Sequence, residues 1–309
     1  MGSAYRHIFG PLSSRRLGVS LGVNTIPLKT CNLNCTYCQL GTARPRTLDR
    51  RDLFDPYEIL DEMSDAICRY QQDLDTVTFA GEGEPTLCRS LGKLIRHARL
   101  MSSLPVAWIT NGTLFWRDDV RNDARAADIV IPSLDAADTR TFQSLNRPHP
   151  GLAIDRIVEG LAAFQRSYGG DLRVEVMLVA GVNDHDRSLA ALREALRRIR
   201  PDRIYLNLPL RPTALPDVSG SRTDRIKRAW ESFRDICPIE QGFGSGRRLR
   251  LDLDAEEVRR IARSHPVPID SVLSSSEKKD ALRDLIRQGE IVEVGSTKRG
   301  FFGGTRSGP

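Results

Sequence analysis

The stretch VSLGVNTIPLKTCNLNCTYC, residues 19–38, decides the fold because it joins a short apolar strand to a loop that carries three cysteines. Val19–Val23 has the composition of a buried strand. The cysteines Cys31, Cys35 and Cys38 follow the pattern C-x3-C-x2-C, so their thiolates can converge on one metal centre. A structural zinc site and a fully ligated iron–sulfur cluster each take four protein ligands, so three cysteines leave one position open.

Strands and helices alternate outward from this loop, and they predict an α/β fold. Six strand-then-helix units imply parallel strands joined by right-handed crossovers, two units short of a closed eight-stranded barrel. We therefore predict a partial (β/α)6 TIM-like barrel of parallel strands. The predicted strands are Val19–Val23, Thr76–Ala80, Val106–Thr110, Asp128–Ser133, Arg173–Val179 and Arg203–Leu208. The predicted helices are Pro56–Gln71, Leu91–Leu100, Arg117–Ala127, Ile154–Tyr168, Leu189–Ile199 and Asp224–Ile236.

Composition indicates a globular chain outside the membrane. The chain has 309 residues, 40% of them apolar and 28% charged. No stretch approaches the roughly 18 apolar residues of a membrane helix, and the N-terminus lacks the apolar region of a secretory signal. We therefore expect a cytoplasmic protein with no membrane contact. The net charge of +6 is compatible with nucleic-acid binding, yet it is common on enzymes that bind none.

A second loop, Gly81–Leu87 (GEGEPTL), follows the second predicted strand. In parallel sheets of this kind, ligands bind at the carboxyl ends of the strands. The two glycines let the backbone approach a ligand closely and the proline fixes its direction, so carbonyl groups and Glu84 could receive an ammonium group. Taken alone, the sequence is also compatible with an ordinary turn.

The two loops together, with Tyr37 just before the last cysteine, resemble the signatures of the radical S-adenosylmethionine (SAM) superfamily. In that family three cysteines hold a [4Fe-4S] cluster and SAM chelates the fourth iron. One electron then cleaves SAM to methionine and a 5′-deoxyadenosyl radical, which abstracts hydrogen from a substrate. The pattern departs at one point, because the first of the family's paired glycines is Glu82 here or is absent.

The resemblance implies a set of site residues and partners. The cluster ligands would be Cys31, Cys35 and Cys38, and Asp135 would lie deeper, toward the substrate. A reductant such as flavodoxin or ferredoxin would supply the electron. The resemblance does not identify a catalytic residue. The implied SAM contacts at the strand ends are Tyr37, Gly83, Glu84, Pro85, Thr86, Thr110, Asn111 and Ser133.

Residues 8–218 are similar in more detail to a branch grouped with wyosine-tRNA synthase-like iron–sulfur oxidoreductases. This similarity implies SAM chemistry and makes tRNA a candidate substrate, while a peptide or protein substrate stays open. Lys29 could form an imine with a ketoacid, although such a lysine is more often a charge partner. The matching segments are Gly10-Pro11, Ser14-Arg15-Arg16-Leu17-Gly18, Ser20-Leu-Gly-Val-Asn24, Pro27, Lys29, Cys38-Gln-Leu-Gly41 and Asn146-Arg147-Pro148.

Three other polar or thiol features have two interpretations each. Arg15 and Arg16 could steady an anionic cluster or bind substrate, and Arg147 could pair with a carboxylate or phosphate through its bidentate fork or simply lie in solvent. The remaining cysteines are widely separated, and we expect them to be small buried apolar residues. They are Cys68, Cys88 and Cys237.

A small second domain is predicted over residues 251–303, after a barrel domain of residues 1–250. Helices at 255–263, 269–273 and 276–288 precede two strands at 290–294 and 300–302, which is the plan of a winged helix. Lys298 and Arg299 at the hairpin tip would suit a phosphate backbone, although winged helices also recognise proteins. Residues 304–309 are expected to be a disordered tail.

The sequence also admits a different class of protein. The cysteine loop could hold zinc, with His7 or a cysteine from elsewhere as the fourth ligand. Combined with a winged helix, such a centre would fit a metal-dependent DNA-binding regulator. The alternating strands and the Gly-Glu-Pro loop argue against this alternative, because a regulator needs no ring of polar strand ends.

Overall fold

The main element of the protein is an eight-stranded sheet that curls into a half-barrel. The structure, a computed structural model, describes residues 5–42, 46–242, 267–268, 284–288, 291–294 and 301–304. β1 pairs antiparallel with β2, and β2 through β8 are parallel neighbours in chain order. The strands are β1 Ile8–Ser14, β2 Gly18–Val23, β3 Thr76–Phe79, β4 Val106–Thr110, β5 Ile129–Pro132, β6 Asp171–Met177, β7 Arg203–Asn207 and β8 Ile239–Gln241.

All six predicted parallel strands are confirmed as β2 to β7, but the sheet is larger than six strands. β1 escaped prediction because Gly10-Pro11 interrupts it, and proline in a strand is typical of sheet edges and bulges. The structure places β1 at the edge, with a register shift between Phe9 and Leu12. β8 has only three residues, too few for a periodic pattern. The predicted (β/α)6 arrangement is therefore corrected to an eight-stranded half-barrel with one antiparallel edge.

Helices follow the parallel strands and pack on the sheet, and α1 shows why. Asp55 caps it by accepting from the Tyr57 N–H, and Pro56 opens its first turn. Ile59, Met63 and Ile67 lie on one face and are buried, each contributing about 1.5–3 kcal/mol. The helices are α1 Pro56–Tyr70, α2 Leu91–Met101, α3 Asp118–Ala124, α4 Thr139–Leu145, α5 Ile154–Gln165, α6 Asp186–Ile199 and α7 Thr223–Phe233.

α4 is a helix that the sequence analysis did not predict. It has seven residues, so it is too short for helical periodicity to stand out. Its N-terminus is capped by Asp138, which accepts from the Thr141 N–H, and it buries Phe142 and Leu145. The helix matters for the site because it ends at Leu145 and delivers Asn146 to the cysteine loop.

A second, three-stranded antiparallel sheet lies in the C-terminal part of the chain, in the order β10, β11, β9. Its strands are β9 Val267–Pro268, β10 Ile291–Val294 and β11 Phe301–Gly304. The predicted hairpin is thus confirmed. β11 includes Gly304, so the prediction that residue 304 belongs to a disordered tail was wrong, and residues 305–309 lie outside the described residues. The predicted helices at 255–263 and 269–273, most of 276–288 and the hairpin tip lie outside the described residues.

Within the part of the chain that the structure describes, no helix is both long enough and apolar enough to cross a membrane. The cytoplasmic location expected from the sequence stays a prediction.

Candidate active site

Four loops meet where the parallel strands β2 to β5 end. The cysteine loop follows β2, Gly81–Leu87 follows β3, Thr110-Asn111 closes β4, and Ser133 follows β5. Because carboxyl ends of neighbouring parallel strands share one edge, segments far apart in sequence are brought together there. The predicted site residues therefore lie at one mouth of the half-barrel.

Each cysteine of the loop is half-buried, unbridged, and close to an N–H donor from a side chain of another residue. The Asn111 amide approaches the Cys31 sulfur at 3.7 Å, and the Asn146 amide approaches the Cys35 sulfur at 3.4 Å. The Lys29 ammonium lies 3.6 Å from the Cys38 sulfur. Donors of this kind stabilise negative charge on sulfur, and hydrogen bonds to sulfur tune iron–sulfur centres.

Lys29 lies at the start of the loop, and its roles as a charge partner or as an imine-forming lysine both stay predictions. It has a φ of +67°, a conformation that is costly for a residue with a side chain. Its ammonium group is buried and donates to the carbonyl of Gly41 as well as to Cys38. The loop is therefore held closed around a cation at its base.

The end of α4 holds the cysteine loop through the backbone, and sequence reasoning missed this role. Asn34 N–H donates to the carbonyl of Asn146 at 2.9 Å, and Thr36 N–H donates to the carbonyl of Leu145 at 2.9 Å. The Asn146 side chain is buried and also donates to Asp135 at 3.0 Å. The only sequence signal was the Asn146-Arg147-Pro148 segment, in which the sequence analysis assigned a possible role to Arg147 and none to Asn146.

Arg147 takes a structural position through its backbone. It has a φ of +45°, and its carbonyl accepts from Arg46 at 2.9 Å. The structure thus gives a role to the main chain of this residue, and pairing of its side chain with an anion stays a prediction.

The two glycines of the second loop lie against the cysteine loop and the end of β2. A Cβ on Gly81 would lie 2.1 Å from the Asn24 side-chain oxygen, and a Cβ on Gly83 would lie 2.1 Å from the Thr30 carbonyl oxygen. Glu84 N–H donates to that same carbonyl at 2.9 Å. The glycines therefore let this loop approach the cysteine loop, and approach of the same backbone to a ligand stays a prediction.

Glu82 is one candidate for the family's first glycine position, and its backbone does not need the freedom of a glycine in this structure. Outside glycine, positive φ occurs among the described residues at Lys29, Arg147 and Arg200, so Glu82 takes an ordinary conformation. Its carbonyl accepts from Lys29 N–H at 2.6 Å. The backbone of Glu82 therefore stabilises the cysteine loop through this hydrogen bond.

Glu84 joins the ends of β3 and β4. Its carboxylate is buried and accepts from the Thr110 hydroxyl at 2.6 Å, Asn111 N–H at 2.7 Å and Thr86 N–H at 2.9 Å. Burial raises the pKa of this carboxyl, while the three hydrogen bonds oppose the rise. Glu84 and the Thr110 hydroxyl are thus engaged with protein groups, and their direct contact with SAM stays a prediction.

Pro85 and Thr86 lie in a short 3₁₀ turn that a buried arginine clamps from behind. Arg50 donates to the carbonyls of Thr86 at 2.7 Å and Cys88 at 3.1 Å, and it pairs with Asp119 and Asp123. Pro85 and Thr86 are themselves buried. Arg50 had no motif to mark it, because its partners are at least 36 residues away in sequence.

A small cavity beside the cysteine loop brings together several predicted site residues. Tyr37, Asn111 and Ser133 all line it, as does Asp135. The Tyr37 hydroxyl donates to the buried Asp135 carboxylate, whose pKa is raised by burial. Among the described residues, the Ser133 hydroxyl has no hydrogen-bond partner. The cavity therefore offers one uncommitted hydroxyl and an aromatic ring to a ligand.

The donor set fits an iron–sulfur cluster with one open iron. Burial and the nearby Glu84 charge raise the pKa of the Cys31 thiol to about 12, and burial and Asp135 raise that of Cys35 well above its usual value. Metal cations are what convert such thiols to thiolates, with release of protons. The Asn32 amide adds a buried N–H that has no acceptor among the described residues. Three soft ligands surrounded by N–H donors suit an anionic iron–sulfur group.

The zinc alternative receives no support from His7. This side chain is buried against Phe54 and lies 3.5 Å from Glu58, in the region where α1 packs on β1. Within residues 5–42 and 46–242 and the short described C-terminal segments, no group of three or more Cys, His, Asp or Glu side chains, the loop cysteines included, is placed to hold a single metal ion, so this finding does not distinguish zinc from a cluster. Of the other cysteines, Cys88 is buried as predicted, Cys237 is half-buried, and Cys68 is exposed, so the prediction for Cys68 was wrong.

The sequence profile of the radical SAM superfamily matches residues 25–193, which include the cysteine loop and the ends of β3, β4 and β5. With the half-barrel and the three-cysteine site, this match shows the class of protein: the chain is a radical SAM enzyme. Membership implies a [4Fe-4S] cluster and SAM. More narrowly, the chain belongs to the UPF0026 family. It is 32% identical over 304 residues to a UPF0026 protein of Methanocaldococcus jannaschii, covering 95% of this chain and 94% of that one.

A solved structure shows the same fold and leaves the substrate open. The chain is similar to a radical SAM methyltransferase from Sphaerobacter thermophilus, with 19% identity, a TM-score of 0.53, and coverage of 72% of this chain and 66% of that one. A structure of TYW1 with a lysine–pyruvate adduct bound is a more distant neighbour, with 14% identity, a TM-score of 0.48, and coverage of 92% and 80%. Neither comparison names the molecule that this enzyme acts on.

Proposed function

We propose that Cys31, Cys35 and Cys38 bind a [4Fe-4S] cluster and that the enzyme cleaves SAM reductively to methionine and a 5′-deoxyadenosyl radical. The radical then abstracts hydrogen from a substrate. The observation that carries the proposal is the loop of three unbridged cysteines, each facing an N–H donor, at the mouth where four strand ends meet. When bound, the cluster would supply the electron for cleavage.

The protein's own part is to hold SAM beside the loop. We place one part of SAM against Tyr37, Asn111 and Ser133, since the cavity that they line is too small to hold the whole molecule. The free Ser133 hydroxyl suits a carboxylate or ribose oxygen of SAM. Gly83, Pro85 and Thr86 would fix the loop whose carbonyls face the SAM ammonium group. Glu84 acts behind them as the brace between β3 and β4.

Cluster assembly and SAM binding can be tested by electron paramagnetic resonance. The wild-type protein, reconstituted without oxygen and reduced, should give a [4Fe-4S]⁺ signal that changes shape when SAM is added. Cys35→Ala should lose the signal. Cys68→Ala is the matched control, because Cys68 is exposed and remote in sequence from the loop. A wild-type signal that SAM leaves unchanged would refute the placement of SAM at the cluster.

For the substrate we propose tRNA, supported by the similarity of residues 8–218 to wyosine-tRNA synthase-like proteins and by the C-terminal sheet. In a winged helix, the hairpin pairs with a short strand that lies between the first two helices. The order β10, β11, β9, with β9 between the helices predicted at 255–263 and 269–273, supports that plan. Residues 251–303 would then recruit the nucleic acid while the barrel performs the chemistry.

The tRNA proposal predicts a salt-dependent interaction. Total tRNA should bind the full chain, and Lys298→Ala at the predicted hairpin tip should weaken binding and reduce the salt slope by about one. Lys227→Ala, on the exposed face of α7, is the control. If tRNA does not bind at low salt, the tRNA proposal is wrong and a peptide or protein becomes the candidate substrate.

A further inference from the structure

Arg211, in the loop after β7, has an unusual position for a cation. It is half-buried, and its guanidinium donates to the Gln39 side-chain oxygen at 2.6 Å. Gln39 is the residue that follows Cys38, so Arg211 lies beside the proposed cluster site. Among the described residues, no carboxylate pairs with it, and the amide of Gln39 cannot neutralise its charge.

Two further arginines affect the charge at this position. Burial, and after it the charges of Arg15 and Arg16 from the turn between β1 and β2, lower the pKa of Arg211 to about 10. Arg16 forms an ion pair with Glu175 of β6, so that carboxylate is already engaged. The charged groups that affect Arg211 are therefore cations, one of which already has a carboxylate partner.

A partly buried guanidinium among like charges costs free energy unless an anion approaches it. Its planar fork matches a carboxylate or a phosphate group, and either would form two charge-assisted hydrogen bonds. Arg211 retains donors beyond the one given to Gln39, because a guanidinium has five N–H groups. The side chain is thus tied in place by one contact and still able to bind an anion.

Arg211 lies in a loop at a different strand end from the proposed SAM contacts. SAM is placed at the ends of β4 and β5, through Asn111 and Ser133, whereas Arg211 follows β7. The β7 loop reaches the cysteine loop from its own side, since Leu215 N–H donates to the carbonyl of Thr36 at 3.2 Å. An anion at Arg211 would face the cluster loop across from SAM.

We infer that Arg211 binds a carboxylate or phosphate group of the substrate and holds the substrate next to the cysteine loop. This inference rests on the proposed function and adds the chemical class of the substrate: it carries an anionic group at the end that enters the barrel. Arg211 is a binding residue on this account.

The test uses the full-length, cluster-loaded protein without oxygen, with inorganic phosphate and acetate as probes in separate calorimetric titrations. Arg211→Gln should weaken the better-bound probe about tenfold or more, and Arg211→Lys should weaken it less. Arg222→Gln, at an exposed arginine 88% accessible through its side chain, should bind as the wild type does. The probe that binds more tightly identifies the anionic group as phosphate or carboxylate.

Three results would overturn the inference. Equal anion binding by wild type and Arg211→Gln would place the anion elsewhere. No binding of either probe by the folded wild-type protein would remove the site. A loss of SAM affinity in Arg211→Gln would show that the arginine serves the carboxylate of SAM instead of the substrate. A failure of the proposed function has a different signature, because the wild type would then form no 5′-deoxyadenosine from SAM whether or not it binds phosphate.

Discussion

Replacing Glu84 with glutamine tests the brace between β3 and β4. In the wild type one carboxylate oxygen accepts from Thr110 and Thr86, and the other accepts from Asn111 N–H. Glutamine offers a single acceptor, so its NH₂ group would face the Asn111 N–H, donor against donor.

The expected cost follows from these contacts. A buried unsatisfied donor costs about 1–3 kcal/mol, and the two remaining hydrogen bonds would lose about half their strength with the charge. Relief from burying a charge opposes part of this loss, because burial raises the pKa of Glu84. We expect Glu84→Gln to lose about 1–3 kcal/mol in free energy of unfolding.

Urea denaturation of the full chain, purified without oxygen, measures this loss. Glu82→Gln is the matched control from the same loop, because its carboxylate accepts only a 3.3 Å contact from Asn24. The control should change stability by less than about 0.5 kcal/mol. SAM should also bind Glu84→Gln more weakly, since Asn111 lines the proposed SAM cavity. A Glu84→Gln protein as stable as the control would refute the assigned hydrogen-bond network.

Three further predictions concern the site and its support. Ser133→Ala should raise the Kd for SAM about three- to tenfold through loss of one hydrogen bond, with an unchanged cluster absorbance; an unchanged Kd would remove Ser133 from the SAM site. Lys29→Met should make the cluster potential more negative in an EPR-monitored redox titration, because a cation beside Cys38 is removed; a potential equal to that of wild type would contradict its role as charge partner. The hydrogen bonds from Arg117 and Arg50 hold the pKa of Asp119 below its usual value, so its stabilisation is present above about pH 4 and is lost as the pH falls through the folded pKa. The difference in Tm between wild type and Asp119→Asn should therefore narrow as acid is added below about pH 4, and a constant difference would contradict the pKa direction.

The sequence predicted the elements of this fold that depend on local sequence patterns. β2 to β7 are short apolar runs that each end in a polar loop, and the cysteine spacing is contained in eight residues. β1 was missed because Gly10-Pro11 reads locally as a turn, and only pairing with β2 makes it a strand.

The parts of the site that the sequence did not predict depend on contacts between residues that are distant in sequence. Asn146 reaches Cys35 across 111 positions, so no motif spacing could join them. The contact between Gly83 and Thr30 was not predicted, because a glycine indicates a close approach without identifying the group that approaches. Packing between strand ends, which decides such contacts, is not visible in a one-dimensional pattern.

The central claim, SAM cleavage at the three-cysteine site, is tested most directly by product analysis. Wild-type protein, reconstituted with iron and sulfide without oxygen and reduced with dithionite, should convert SAM to 5′-deoxyadenosine, detected by mass spectrometry. Cys35→Ala should form none, while Cys68→Ala should match the wild type. Cleavage that persists in Cys35→Ala, or no 5′-deoxyadenosine from a wild type that carries its cluster, would contradict the claim.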